Sequence, residues 1–437
     1  MKCGFFKKDI TPTVGCYMAG KAHERISQGV EDPLHIRAIA FEEEGLAVVL
    51  VFDFVGMRQE LCVTIRDRVA HGLGIQRKDV FVSCTHTHTG PEVRPGARDK
   101  SDPFYVDMLP YLALSAAQCA VADLKETTVF GAQSTLENVT YIRRYRMKDG
   151  SVRTNPGRRN PDIVGPMTPA DETIRLVKFV REGADDIILV NFQVHPDVMN
   201  SKGLSADYPG VVCNTLERAL PGTKCIYFNG TAGDLNHIDV HCPEWDPCTG
   251  PGQVEYMGFS IAGKILSMYT KARPIQTGAV KTEEKRITIN LKPPAPERVP
   301  EAQELLRLHD AGLDDQIPHK GMEFITALFE ARQIIARSQP GYQSEKTVSV
   351  CGLSFGDICV IGIPGEGFCE IGRQIREESP FQMQLSLGLC NGSEGYFPMK
   401  DAFEVNGYES RTSHFVPGIG EALAEAGKEV TKTLRNA

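Results

Sequence analysis

The sequence has 437 residues, of which 41% are hydrophobic and 24% are charged, and its formal net charge is −8. This composition is that of a globular protein with enough residues for a sizeable core. The negative charge argues against a nucleic-acid partner and against docking on anionic lipid, so we expect neither.

The cysteines and the N-terminal residues predict a cellular location. The first residues, MKCGFFKKD, contain no apolar signal-peptide core, and no uninterrupted apolar stretch has the length of a membrane span. Thirteen cysteines, an odd number, are scattered from Cys3 to Cys390. This pattern favours a reducing compartment over a disulfide framework. We therefore expect a cytoplasmic protein without stable membrane insertion, and the sequence carries no signal for an oligomeric state.

Apolar strand-like segments alternate with helix-like segments along the chain. From the N terminus we predict a strand at 48–54, a helix at 58–71, a strand at 79–83 and a helix at 103–124. There follow a strand at 187–194, a helix at 208–220, a strand at 224–228, a helix at 254–270 and an alternating strand at 279–291. The last predicted elements are strands at 347–353 and 357–363 and helices that begin near Phe368 and Ile419.

The order of these elements predicts the fold class. Strands among helices indicate an α/β fold of mixed β-sheets flanked by helices, and we expect one domain over 1–437. A polar helical section at 296–344 separates two groups of strands. Because apolar strands resume after it, we interpret this section as an insertion or lid within the domain.

A histidine motif follows the predicted strand at 79–83. Residues 83–91 read SCTHTHTGP, and side chains two apart on a strand share a face, so His86 and His88 point the same way. Both imidazoles could bind one metal ion, or one could bind the metal while the other transfers protons. The alternative is a pair of hydrogen-bonded histidines without a metal.

Other polar residues follow apolar strands or glycines. His195 ends a strand just before Pro196, and Glu366 follows another strand in a Pro-Gly turn. Tyr396 and Tyr408 each follow a glycine. Each residue could have a purely structural role. However, active sites of α/β sheets gather at strand ends, and two histidines with a glutamate are a ligand set of catalytic zinc.

The ordered motifs resemble those of the neutral, non-lysosomal ceramidases, which are zinc amidases. The matching segments are 85–91 (THTHTGP), 194–196 (VHP), 229–234 (NGTAGD), 363–366 (IPGE) and 395–396 (GY). The resemblance implies a ceramidase-like catalytic domain with one zinc ion per chain, bound by His86, His195, Glu366 and Tyr396. It also implies that His88, Tyr408 and an arginine surround the reacting carbonyl. We place this arginine at Arg143, with Arg144 as the alternative, and assign Arg144 and Asp234 to substrate binding.

The residue types suit metal-assisted hydrolysis. Zinc lowers the pKa of its bound water to roughly 7. We expect His88 to act as general acid and base, and Tyr408 and Arg143 to stabilise the oxyanion. The sequence shows no basic amphipathic helix for taking a lipid from a membrane. We therefore predict a zinc-dependent hydrolase that cleaves an amide or related bond of a small polar substrate. The alternatives are a true ceramidase or N-acyl-lipid amidase, a hydrolase of glycosidic or ester bonds, and a non-catalytic metal-binding protein.

Two further segments carry unusual residues. Between Arg143 and Arg159 lie seven basic residues and one acid, which indicates either recognition of an anionic group on the substrate or a solvated basic loop or subunit contact. A second cluster could be a structural zinc site or a proline-rich surface loop, and it consists of His237, His241, Cys242 and Cys248.

Overall fold

The structure is a computed structural model that describes residues 1–94 and 100–437. Its strands are β1 Lys2–Asp9, β2 Gly29–Val30, β3 His35–Glu42, β4 Leu46–Phe52, β5 Val80–Cys84, β6 Lys125–Thr135, β7 Tyr141–Ile142, β8 Arg144–Met147, β9 Val152–Thr154, β10 Ile163–Pro166, β11 Thr173–Arg181, β12 Asp186–Phe192, β13 Gly203–Leu204, β14 Thr223–Asn229, β15 Leu235–Asn236, β16 Arg273–Pro274, β17 Val280–Asn290, β18 Glu345–Phe355, β19 Ile358–Gly362, β20 Glu366–Gly367, β21 Met383–Leu387 and β22 Tyr396–Phe397. Its helices are α1 Gln59–Leu73, α2 Pro103–Ala122, α3 Asp207–Ala219, α4 Pro251–Tyr269, α5 Val299–Asp310, α6 Gly321–Arg337, α7 Cys369–Glu377, α8 Lys400–Glu404, α9 Tyr408–Thr412 and α10 Ile419–Asn436.

Two mixed sheets form the centre of the structure. The larger has the order β14-β12-β11-β6-β1-β3-β4-β5, with β16 paired to β6, and the smaller has the order β17-β18-β19-β21. In the larger sheet, β12 pairs parallel with β14 and β4 pairs parallel with β5. In the smaller sheet, β19 and β21 are parallel. The predicted fold class of mixed sheets with flanking helices is confirmed.

The sheets pack face to face, with helices on their outer faces. Phe41 and Phe179 of the larger sheet contact Phe355 of the smaller one, and the rings of Phe41 and Phe355 stack at 4.6 Å. Buried residues of α1 and α2, and separately those of α3 and α4, cover the larger sheet. Helices α7 and α10 cover the smaller sheet. Burying both faces of the strands explains the continuous apolar run of β4, LAVVLVF.

Helix α2 has unusual composition for a surface helix. It has 20 residues and a mean hydropathy of 1.2, which makes it long and apolar enough to cross a membrane by those two measures. Its buried residues, among them Leu109, Ala113 and Ala117, belong to the core that also contains β3 and β4. Core helices of soluble proteins meet the same two measures, so α2 is weak evidence for a span.

Sheet twist brings the two edges of the larger sheet together. A twist of roughly 20–25° per strand accumulates to about 150° across the eight strands. Because β5 and β14 run in opposite senses along the pairing path, this rotation turns their carboxyl ends to the same side. The Nδ2 of Asn229, at the end of β14, donates to the carbonyl of Thr85, just after β5, at 3.1 Å. Residues that follow either edge strand can therefore share one site.

The helical section at 296–344 lies between β17 and β18 and contains α5 and α6. Helix α6 packs against the short helix α9 through an ion pair between Glu330 and Arg411 at 2.6 Å. The ring of Phe329 on α6 lies edge-on to that of Tyr408 on α9, with centroids 6.5 Å apart. The section thus covers the region of the C-terminal tyrosine motif, a position suited to the predicted lid.

We predict that Gly4→Ala destabilises the packing of α2 on β1. The new Cβ would lie 2.0 Å from the Ala120 carbonyl oxygen and 2.9 Å from the Leu124 backbone nitrogen. Since both are backbone atoms, the helix must shift, and we expect a loss of about 1–3 kcal/mol in urea unfolding. At Gly29 a Cβ meets nothing within 4 Å, so Gly29→Ala should change stability by less than about 0.5 kcal/mol. Equal stability of the two variants would contradict the packing.

Candidate metal centre

Three side chains from separate strand ends converge on one point. His86 follows β5, His195 follows β12, and Glu366 begins β20. The Nε2 atoms of the two histidines are 3.0 Å apart. The Oε2 atom of Glu366 lies 3.4 Å from the Nε2 of His86 and 3.7 Å from that of His195. The structure therefore brings together three of the four predicted ligands.

Backbone carbonyls fix the orientation of both imidazoles. The Nδ1 of His86 contacts the carbonyl oxygen of Val55 at 2.5 Å, and the Nδ1 of His195 contacts that of Ala232 at 3.4 Å. Because a carbonyl oxygen only accepts, each Nδ1 carries a hydrogen, and in the neutral form of each ring Nε2 presents its lone pair. This is the arrangement by which proteins orient metal-binding histidines.

The facing lone pairs fit a cation. When both rings are neutral with hydrogens on Nδ1, neither Nε2 can donate to the other, and the Oε2 of Glu366 is a buried oxygen without a hydrogen-bond partner among the described residues. Ligand atoms at 2.0–2.1 Å from a tetrahedral zinc lie roughly 3.3 Å apart. The observed separations of 3.0, 3.4 and 3.7 Å bracket that value. The donor set and its spacing therefore fit a zinc ion or a similar divalent metal.

The backbone at His86 is also unusual. Its φ is +77°, in the left-handed region that residues other than glycine seldom occupy. Such conformations cost about 1–3 kcal/mol and are retained where the surrounding structure enforces them, often at functional sites. Here the His86 backbone N–H donates to the Phe54 carbonyl at 2.9 Å, which fixes the residue between two segments.

The protonation of the cluster matches metal binding. Burial lowers the pKa of His195 well below its usual value, so the imidazole stays neutral. Burial opposes ionisation of Glu366, but positive charge in the cluster, on protonated His86 or His195 and on Arg143, outweighs burial and holds the pKa at about 2. Neutral imidazoles and an ionised carboxylate are the forms that bind metal ions.

His88 lies beside the cluster but is held differently. Its Nε2 is 3.4 Å from the Nε2 of His86, and the possible ligand atoms of His86, His88 and His195 all lie within 4.8 Å of one another. However, the Nδ1 of His88 is buried without a hydrogen-bond partner in the described part of the chain. His88 thus lacks the orienting contact that His86 and His195 possess, and it suits proton transfer better than ligation.

Two tyrosines and an arginine stack beside the cluster. Tyr396 is paired with Glu366 in the register of β22 with β20, and its ring lies 5.5 Å from that of Tyr408. Burial raises the pKa of Tyr408 to about 12, so its hydroxyl keeps its hydrogen. The guanidinium of Arg143 lies 5.1 Å from the Tyr396 ring and 5.6 Å from the Tyr408 ring. Its Nε donates to the buried carboxylate of Glu409 at 2.7 Å. Tyr396 as fourth ligand stays a prediction.

The side chains of the two residues predicted to bind substrate make contacts with other parts of the protein. Arg144 stacks on Phe368 and contacts Asp401 at 3.4 Å. The buried Asp234 accepts a hydrogen bond from the backbone nitrogen of Cys369 at the start of α7. In the arginine-rich segment, Arg153 pairs with Asp149 and Arg159 with Glu244. These contacts are those of a basic loop with local acidic partners.

A cavity of about 770 Å³ opens onto the cluster of candidate metal ligands. Its walls include His86, His88, Glu366, Tyr396 and Tyr408, and the helical section contributes Phe329, Arg332, Gln333 and Tyr342. Arg143, Arg144 and Asp234 are not among the described residues that line it. Part of the predicted lid is therefore a wall of the cavity.

Several parts of the site carried no sequence signal. The carbonyls of Val55 and Ala232 orient the histidines, and a backbone acceptor is available at any residue. Glu409, which holds Arg143, directly follows the predicted Tyr408 but belongs to no motif. Arg58 lines the cavity from the N-terminal end of α1, where no sequence pattern marks it.

Comparison with known proteins supports the fold. No family model and no curated protein sequence matches the chain. The chain is similar to the crystal structure of a neutral ceramidase from Pseudomonas aeruginosa, with a TM-score of 0.74 and 16% identity, over 100% of this chain and 74% of that one. It is also similar to a ceramidase complexed with C2, with a TM-score of 0.74 and 15% identity, over 100% and 75% of the two chains. The resemblance indicated by the motifs is thus confirmed as a likeness of fold.

We predict that single substitutions distinguish the residues that bind the metal ion from the residues that only lie beside it. His195→Ala and Glu366→Gln each remove a donor from the converging set, and we expect zinc affinity to fall at least as much as the roughly 10- to 100-fold seen when an orienting partner is lost. His88→Ala should retain close to one zinc per chain. Elemental analysis of protein purified without a histidine tag or added metal measures both.

His414→Ala is the matched control, because His414 lines the same cavity but lies outside the histidine cluster. It should keep its metal. Loss of zinc from His88→Ala to the extent seen for His195→Ala would show that three histidines bind the ion, contrary to the assignment above.

Proposed function

We propose that this protein is a metal-dependent hydrolase that cleaves an amide bond of a small polar substrate. The observation that carries the proposal is the buried convergence of three potential metal ligands, with their nearest atoms 3.0, 3.4 and 3.7 Å apart, beside a large cavity. His86, His195 and Glu366 would hold the ion. The similarity in fold to two ceramidase structures supports hydrolysis of an amide over the other bonds considered.

A bound zinc ion would supply a water of lowered pKa and a Lewis acid for the carbonyl oxygen. The protein side chains supply the proton transfers and the orientation. His88 stays neutral at physiological pH, because burial and the neighbouring histidines lower its pKa well below the usual value. A neutral imidazole accepts a proton at Nε2, and its imidazolium form can pass that proton to the leaving amine.

Tyr408 and Arg143 take different roles in this proposal. The hydroxyl of Tyr408 lines the cavity and remains protonated, so it can donate to the developing oxyanion. Arg143 is buried behind the tyrosines and contacts Glu409 and the Gly233 carbonyl. We infer that Arg143 positions Tyr396 and Tyr408 and does not touch the substrate.

The charges of the cavity suggest the substrate. Its lining contains five glutamates and seven basic residues, namely Lys21, Arg25, Arg58, Arg94, Lys100, Arg332 and Lys346. Several are neutralised locally, as in the pairs of Arg94 with Glu92 and Lys346 with Glu394. Arg58 is exposed and forms no ion pair within residues 1–94 and 100–437. A polar substrate with a carboxylate near the scissile amide fits this lining.

Ceramide hydrolysis is the second candidate. It is favoured by the fold likeness, since both similar structures are ceramidases. The charged lining opposes it, because burying a long acyl chain against ionised side chains costs their hydration.

We also propose a cytoplasmic location, which the thirteen unpaired cysteines support.

A substrate panel distinguishes the two candidates. We expect the zinc-loaded protein to hydrolyse N-acyl amino acids at a higher kcat/KM than detergent-dispersed ceramide, because the cavity wall carries many charged side chains that an anionic substrate can contact. Turnover should stop on treatment with a chelator and return with zinc. A preference for ceramide would support the second candidate. Chelator-insensitive turnover would contradict both.

Tyr408→Phe should lower kcat and leave metal content unchanged. Loss of one oxyanion donor costs about 10²–10³ in kcat in enzymes of this kind. The phenyl ring preserves the contacts with Tyr396 and Phe329, so unfolding stability serves as the control. A variant with wild-type kcat would remove Tyr408 from the reaction.

Arg58→Ala should raise KM for an anionic substrate by about threefold to tenfold with little change in kcat, since an exposed guanidinium gives a screened, charge-assisted contact. An uncharged amide of the same size should show no change. Arg153→Ala is the control, because Arg153 is exposed, pairs with Asp149 and lies outside the cavity. Equal KM effects from both variants would argue against a role for Arg58 in binding.

A further inference from the structure

Two cysteines in a surface loop lie within reach of a disulfide bond. The Sγ atoms of Cys242 and Cys248 are 2.9 Å apart, about 0.9 Å more than the covalent bond of roughly 2.0 Å. Both side chains are free thiols in the structure. A small movement of the two sulfur atoms toward each other would therefore bring them to the distance of a disulfide bond.

An arginine from the basic segment contacts both sulfurs. The Nη1 of Arg158 lies 3.6 Å from the Sγ of Cys242 and 3.8 Å from that of Cys248, and it also donates to the Asp246 carbonyl. The next residue, Arg159, pairs with Glu244 of the same loop. Two features of the sequence, the arginine-rich segment and the cysteine loop, thus form one structural unit.

The loop backbone holds the thiols together. Cys248 has a φ of +52°, a left-handed conformation that is rare for cysteine, and its N–H donates to the Asp246 carboxylate at 2.8 Å. The following residues, Thr249 and Gly250, each donate to the Val198 carbonyl at 2.8 Å. These contacts fix Cys248 against the segment that follows His195.

The hydrogen bonds assign different roles to the thiols. The Cys248 thiol donates to the Sγ of Cys242, and Arg158 donates to the same sulfur. Burial raises the pKa of Cys248 to about 12, so this residue keeps its hydrogen. Cys242 therefore accepts from both the Cys248 thiol and Arg158, whereas Cys248 accepts from Arg158 alone, so Cys242 is the sulfur better placed to attack.

We propose that Cys242 and Cys248 form a reversible redox site that is oxidised by small-molecule disulfides such as oxidised glutathione. The Cys242 thiolate attacks one sulfur of the disulfide, forms a mixed disulfide and releases one thiolate. The Cys248 sulfur, after giving up its proton to solvent, attacks Cys242 and displaces the second thiolate. The two cysteines lose two electrons, and the small disulfide is reduced to two thiols.

The position of the pair suits this reaction. Both sulfurs are buried, but the neighbouring loop residues are exposed, including Trp245 at 82%. Arg158, which contacts both sulfurs, is itself exposed, so the pair lies directly beneath a solvent-facing side chain. By contrast, Cys351 and Cys390 lie 3.5 Å apart in the core between the sheets, where a small disulfide has no access.

A metal site is the competing explanation for paired thiols. Among the described residues, no histidine or carboxylate joins the two sulfurs in a group of three within 4.8 Å. The Nδ1 of His237 lies 3.3 Å from Asp197, and His241 is exposed. The described side chains thus provide two ligands, whereas a structural zinc site needs four.

The test is oxidation of the folded full-length protein with glutathione disulfide at neutral pH, followed by alkylation and mass spectrometry. We expect the intact mass to fall by two hydrogens, a single linkage between Cys242 and Cys248, and reversal by dithiothreitol. Cys351 and Cys390 should stay unlinked and serve as the internal control. Absence of the linkage in folded protein, or a linkage at other cysteines, would overturn the proposal.

Three variants test the assigned roles. Cys248→Ser should accumulate a glutathione adduct on Cys242, whereas Cys242→Ser should not react. Arg158→Gln should slow adduct formation by about threefold to tenfold, because the attacking sulfur loses a charged hydrogen-bond donor, and Arg158→Lys should restore part of the rate. An unchanged rate in Arg158→Gln would remove the guanidinium from the mechanism. If the protein contained a second zinc ion per chain and Cys242→Ser lost it, the pair would be a metal site and the redox proposal would be wrong.

Discussion

The structure depends on the convergence of three potential metal ligands at one buried point. The Nε2 atoms of two imidazoles lie 3.0 Å apart, and a carboxylate oxygen lies within 3.7 Å of both. The carbonyls of Val55 and Ala232 hold the hydrogens on the far sides of the rings. A buried group of this kind is costly without a partner, and a metal ion is the partner that this donor set fits.

The architecture explains how distant segments meet at this point. His86 and His195 follow strands at or next to opposite edges of one sheet, and Glu366 follows a strand of the other. Twist turns the edges toward one another, and Asn229 joins them by its hydrogen bond to Thr85. The segment after β21 completes the junction, since Gly388 donates to the Asn229 carbonyl at 2.8 Å. The cluster of His86, His195 and Glu366 thus lies where both sheets end.

Much of the fold was visible in the sequence because buried strands and amphipathic helices leave regular patterns. The strands β4, β5, β12 and β14 and the helices α1, α2, α3 and α4 lie close to their predicted positions. The strands β6 and β11 were missed, although they form the middle of the larger sheet. β6 reads KETTVFGAQST, and its many polar residues lie in the partly exposed antiparallel region.

The site residues that belong to sequence motifs were predictable, whereas those positioned by tertiary contacts were not. Strand-end histidines and a glutamate in a turn gave His86, His195 and Glu366. The place of Arg143 behind the tyrosines depends on its pairing with Glu409, 266 residues away in sequence, which no local pattern encodes. The pairing of Arg158 with the cysteine loop is likewise a product of tertiary structure.

The most direct test is anomalous diffraction at the zinc edge from crystals of the protein incubated with zinc. The account predicts one strong peak per chain, within bonding distance of the Nε2 atoms of His86 and His195 and of the Glu366 carboxylate. A zinc peak within bonding distance of His88 and not of Glu366, or no peak between these residues, would contradict this account.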